Sequence, residues 1–161
     1  MRAMRTLAAL VAVAAGVAAL AACSHERASL GLSPDYRFGY DDKGETVALA
    51  YGRPNSDELA LMLECPKGSG RVELTDTVFD ERTTAIVLSS DGRKTAVPVR
   101  NETTEGPADK ILVGHLPSSA PALQALRRSG VLQVANGGKR YTITVAPEQH
   151  AGVERFFKVC G

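Results

Sequence analysis

Few side chains in this sequence could do chemistry: three cysteines, three histidines and scattered carboxylates. His115 lies in VGHLPSS, close enough to Ser118 and Ser119 to suggest a Ser–His couple. Such a couple also needs a group to orient the imidazole and donors for an oxyanion. No GxSxG turn presents a nucleophile, and the two serines stand where a following helix would take its cap. His25 lies in a polar stretch and His150 lies off the apolar stripe of the last segment, so both are expected at the surface. Asp41-Asp42-Lys43-Gly44-Glu45 starts like a calcium loop, but Lys43 falls where an oxygen ligand is needed, so a hairpin turn is expected. Gly68-Ser69-Gly70-Arg71 has the look of an anion-binding turn without a helix behind it. The expectation is no catalytic residue, no metal and no cofactor.

Cys23 has a different context. Arg2 and Arg5 precede an uncharged run from Leu7 to Ala22, 16 residues long, and a permanent bilayer helix needs about 20. A basic start and a short apolar run make an export signal. The run closes on Leu20-Ala21-Ala22-Cys23, which resembles the lipobox of bacterial lipoproteins, with Leu three before the Cys and small residues between. The resemblance implies a diacylglyceryl group on the Cys23 sulfur, cleavage before Cys23 and acylation of the new amine. Each acyl CH₂ buried in lipid contributes about 0.8 kcal/mol, so two or three chains hold a domain firmly. Residues 1–22 are then a signal peptide, 23–34 a lipidated tether and 35–161 one domain. Ser24 after the Cys favours the outer membrane, facing the periplasm.

With Cys23 taken by lipid, Cys65 and Cys160 remain, 95 positions apart. Two thiols in an exported domain are expected to oxidise to a bridge. The alternatives are two free buried thiols or a metal site, and no His pair lies near either cysteine. Closing so long a loop corresponds to about 4.7 kcal/mol in the chain-entropy picture. The 139 residues after the signal carry 17 basic and 18 acidic side chains, a balance that argues against a nucleic-acid partner. Trp is absent, which removes the best stacking platform for a sugar or a base.

The elements that must position these residues read as strands. Val47, Leu49 and Tyr51 alternate in ETVALAYG, and Leu59, Leu61, Leu63 and Cys65 do so in ELALMLEC, with only Met62 adding bulk opposite. RVELTDTVF continues the pattern until Asp76, where an apolar residue was due, so that strand ends or bulges there. TTAIVLSS and KTAVPVRN flank Ser90-Asp91-Gly92-Arg93, and GVLQVAN and KRYTITV flank Asn136-Gly137-Gly138-Lys139; both are hairpin turns. Pro98 predicts an edge or bulged strand, and residues 101–109 read as an acidic loop before KILVGHL.

SSAPALQALRRSG has a Ser cap, Leu123 and Leu126 three apart, Arg127 and Arg128 late and Gly130 as a stop, the signals of a helix in order. In APEQHAGVERFFKVCG, Pro147 suits a first turn, and Val153, Phe156, Phe157 and Cys160 form one stripe. Cys65 and Cys160 therefore both face the core. Arg127, Arg128, Lys139 and Arg140 either gather as a basic cluster for anionic lipid or polymer, or form a solvated helix end; the second is favoured.

YGRPNSDELALMLECPKGSGRV, LPSSAPALQALRRSGVLQV and VERFFKVCG together are similar to small envelope lipoproteins and periplasmic proteins of alphaproteobacteria, with a Cys in an early strand and a terminal FFxxC-like helix. The resemblance implies a fold and a location and carries no activity. The expected fold is mainly β: an antiparallel sandwich or flattened barrel of about seven to nine strands with two short helices, the last bridged to a strand. The expected function is a non-catalytic, membrane-anchored binding or scaffolding module with a protein partner in the envelope. The exposed loop Pro54, Asn55, Ser56, Asp57 and Glu58 is a candidate interaction loop, able to enter the active-site cleft of a hydrolase. A lipoprotein inhibitor of a hydrolase such as lysozyme and a binder of a small apolar ligand are the rivals.

Overall fold

The computed structural model describes residues 31–105 and 109–161. The expected signal peptide, Cys23 and His25 lie outside the described residues. Nine strands follow the chain as β1 (Arg37–Lys43), β2 (Thr46–Gly52), β3 (Leu59–Pro66), β4 (Arg71–Asp76), β5 (Ala85–Ser90), β6 (Arg93–Thr103), β7 (Lys110–Pro117), β8 (Val131–Asn136) and β9 (Lys139–Thr144). They form one sheet in the order β1-β2-β3-β4-β7-β6-β5-β8-β9, antiparallel at every pairing. The sheet curls into a half-barrel, the barrel alternative rather than two stacked sheets. Two helices, α1 (Pro121–Ser129) and α2 (His150–Cys160), lie on its inner face.

Period two decides which residues go inside. Val47, Leu49 and Tyr51 on β2 are buried beside Leu61, Leu63 and Cys65 on β3, while Ala48, Ala50, Met62 and Glu64 alternate outward. The inward residues of β4–β9 continue this core, and the helices close it with Leu123 and Leu126 from α1 and Val153, Phe156 and Phe157 from α2. Arg127 of α1 grips Glu154 of α2 through two guanidinium nitrogens, Nη2 at 2.6 Å from Oε2. That pair is exposed and stabilises little, up to about 1 kcal/mol. It also places Arg127 in a helix–helix contact instead of a basic cluster with Lys139 and Arg140. Gly130 ends α1 at φ 70°, its N–H donating to Leu126 O at 2.8 Å.

Four local expectations are corrected. β1 was not predicted, because RFGYDDK offers only Phe38 and Tyr40 as an apolar alternation. β6 runs through residues 101–103, which were expected in a loop, since they pair with residues 110–112 of β7. β6 is also internal: its first half pairs with β5 up to Pro98 and its second half with β7 from Val99. Val99 N–H donates to Thr84 O, so the missing donor of Pro98 falls on the β7 side before that pairing begins. Gly114 makes the switch of partner possible, because a Cβ there would stand 2.7 Å from Val97 and 2.9 Å from Pro98 O. Lastly, neither Ser118 nor Ser119 caps α1; Ala120 precedes the helix with no side-chain cap.

Ser118 has other work. Its hydroxyl donates to Gly161 O at 2.8 Å, beyond the end of α2. The glycine turn after β3 serves the same end: Gly68 N–H donates to Val159 O at 2.9 Å and Gly70 N–H to Cys160 O at 2.8 Å. The turn that looked like an anion site thus receives the terminal carbonyls of α2, which carry the negative end of the helix dipole. Within this clasp Cys65 and Cys160 are bridged, with Cα atoms 5.6 Å apart. Both cysteines are fully buried.

Cys160→Ser should lower the melting temperature sharply, since loss of a native bridge from a small domain costs about 2–5 kcal/mol. Amide exchange followed along the chain should show the C-terminal turn of α2 opening before the sheet. A variant melting with wild type would remove the bridge from its structural role.

Candidate recognition surface

A depression of about 530 Å³ lies on the outer face at β1, β2 and β3. Small residues make its floor: Gly39 of β1 and Ala50 of β2, with Met62 of β3. These three share a row, Gly39 opposite Ala50 and Ala50 opposite Met62. Arg37 stands at one side, its guanidinium donating to Pro34 O and Tyr36 O. The loop Pro54, Asn55, Ser56, Asp57 and Glu58 forms the opposite wall, with four of the five on the lining and Asn55 at the tip of its turn.

Local chemistry gives that loop one shape. The register of β2 and β3 shifts between Tyr51 and Gly52, and a Cβ at Gly52 would stand 2.2 Å from Glu58 O. Only glycine lets the strands pass so closely. Arg53 N–H then donates to Glu58 O at 2.9 Å. The Ser56 hydroxyl donates to Arg53 O at 3.0 Å and accepts from Glu58 N–H at 3.2 Å. Arg53 and Glu58 side chains pair at 3.0 Å, and Asn55 takes φ 58°, which Asn tolerates. Asp57 is exposed and enters no ion pair among the described residues.

The other candidates do not converge. His115 lies on the outer face with its Nε2 3.1 Å from Glu73 of β4, while Ser118 is committed to Gly161 O. His150 is half-buried at the start of α2, against Gly130. In the turn region Asp42 binds Lys67 at 2.6 Å and Tyr40, and these bonds hold its carboxyl below the usual range. That arrangement is a hairpin stitched to the β3–β4 turn.

Asp76, expected to end its strand or bulge it, is in a more unusual setting. Asp76 is fully buried, and burial pushes its pKa up to about 7. It accepts from Val78 N–H at 2.7 Å and from Asn136 of β8, which also donates to Val78 O. The Tyr141 hydroxyl of β9 faces the same carboxyl without a well-aligned bond, and burial raises its pKa in turn. Lys139 is the cation that opposes the shift. Asp76 thereby ties the chain after β4 to the β8–β9 hairpin across one end of the curl.

Comparison of the chain with protein-family models, with curated proteins and with solved structures found no match. Arg37, Gly39, Ala50 and Met62 were not singled out in the sequence; only the bulk of Met62 on an otherwise small outward face gave a signal.

The folded protein holds a proton on Asp76 up to about pH 7, whereas the unfolded chain loses it near 4. Folding therefore takes up a proton in that window, and stability should fall as pH rises from 5 to 7, by up to about 1.4 kcal/mol per unit, then level off. Denaturant titrations of wild type and Asp76→Asn should show this slope only in the wild type. Equal slopes would place the carboxyl's titration elsewhere.

Proposed function

We propose that this protein is a lipid-anchored, non-catalytic binding module of a bacterial envelope, and that the depression walled by residues 53–58 is where its partner docks. The observation that carries the reading is the self-bonded loop. A wall fixed by its own hydrogen bonds and by the crossing at Gly52 loses little conformational freedom on binding. Its free carboxylate, Asp57, stands beside a floor of small residues and a sulfur side chain, an apolar centre with a charged rim. The anchor reading rests on Leu20-Ala21-Ala22-Cys23 and the basic, short apolar segment before it.

The same loop favours one further reading, an inhibitor of a hydrolase such as lysozyme, because a rigid, exposed turn is what enters a cleft. A binder of a small apolar ligand has less support, since Phe156 and Phe157 fill the space between α2 and the sheet.

Expressed in a bacterium, the wild type should partition into detergent and carry acyl mass on Cys23, and Cys23→Ser should stay unprocessed. Cross-linking in native envelopes should give an adduct with the wild type that falls at least tenfold with Asp57→Lys. Lysozyme assays on the same two proteins separate the inhibitor reading. Wild type without acyl mass would overturn the anchor, and an adduct indifferent to Asp57→Lys would overturn the docking surface.

A further inference from the structure

We infer that the outer face of the β5, β6, β8 and β9 half of the sheet rests on the headgroups of an anionic bilayer. This rests on the reading of Cys23 as a lipid anchor and adds to it an orientation.

The face is a shallow trough of about 380 Å³. Its rows follow from register: Ser89 lies between Lys94 and Gln133, and Val87 between Ala96 and Ala135, with Arg140 opposite Ala135. Val87, 37% exposed, is the single large apolar side chain left that open among the described residues. Where these four strands pair with one another, their outward positions hold the cations Lys94 and Arg140 and no carboxylate. Neither cation enters an ion pair among the described residues, whereas Lys43, Lys67, Lys110, Arg53 and Arg100 all do. Asp80, beside Gly137 at the end of the trough, is already held by Arg82. The other half of the outer face mixes the two signs, with Glu64 and Glu73 outward among Arg37, Arg71 and Arg100.

Lys94 and Arg140 sit three strands and two residues apart, about 16 Å at a strand spacing of about 4.8 Å and a rise of about 3.3 Å per residue. Cations so separated by an uncharged trough suit several phosphates of a surface better than one phosphate ion. Such attraction acts only within about a Debye length, roughly 10 Å, so the face must be brought close. The chain does this. Residues 31–34 line a groove between Arg37 and Tyr51 of β1 and β2 and Thr142 and Thr144 of β9, so the polypeptide joins the domain next to the outermost strand of the trough. From Cys23 to Leu30 there are eight residues, a reach of about 28 Å when fully extended. The β9 side cannot stand farther from the lipid than that.

The test is lysine footprinting of the full, processed protein inserted into vesicles of phosphatidylcholine alone or mixed equally with phosphatidylglycerol. With a membrane-impermeant acylating reagent, Lys94 should react several-fold more slowly on the anionic vesicles, and Lys158, exposed on α2 at the opposite side, should not change. Arg140→Ser or high salt should restore Lys94. Equal labelling of Lys94 on both vesicles would overturn the inference. The mass of the Cys23 peptide in the same digest judges the anchor separately. If acyl mass is absent, sedimentation of the full chain with anionic vesicles decides the face alone: loss of binding in Lys94→Ser supports it, and no binding by wild type overturns it.

Discussion

A single sheet with one apolar face has to cover that face, and here the covering depends on α2 staying down. Phe156 and Phe157 bring large apolar area into the curl, and α2 is the last of the described elements. Three kinds of bond converge on its end: the covalent link to β3, the two glycine amides of the β3–β4 turn and the Ser118 hydroxyl from before α1. Each satisfies or fixes a group that would otherwise face the interior unpaired. The core is closed because the last turn of α2 is fastened to β3, to the β3–β4 turn and to the segment before α1.

That clasp shows what a sequence can and cannot display. The bridge was legible, because Cys65 by period two and Cys160 by period 3.6 each declared an inward direction. The strands with strict alternation and the two Gly-containing hairpin turns were legible for the same reason. The partners of Ser118 and of the Gly68–Gly70 turn were not, because both act on a helix end about 40 or 90 residues away in the chain. β1 escaped because an edge strand with one polar face and a Gly needs few apolar residues. Pro98 gave the right warning but the wrong cause: a strand changing partners tolerates a missing donor as well as an edge does.

The candidate surface divides in the same way. Pro54, Asn55, Ser56, Asp57 and Glu58 stood out as an exposed loop, and four of the five line a depression on the outer face. Its floor comes from Gly39, Ala50 and Met62 on three strands, where small size is the contribution and leaves no pattern to read. The buried pair of Asp76 and Asn136 behaves likewise. In sequence Asp76 interrupts an apolar series, and only the fold supplies the amide that meets it.

The bridge also partitions the chain mechanically. It encloses residues 65 to 160, which leaves β1, β2 and β3 as far as Glu64 outside the covalent ring. A pull applied at the amino-terminal side would peel β1 from β2, then β2 from β3, one hydrogen-bonded rung at a time. Extension would stop at Cys65, after about 34 residues and roughly 115 Å of released chain. Everything beyond would bear the load through covalent bonds, so the protein has a sacrificial hem and a ring that cannot be drawn out.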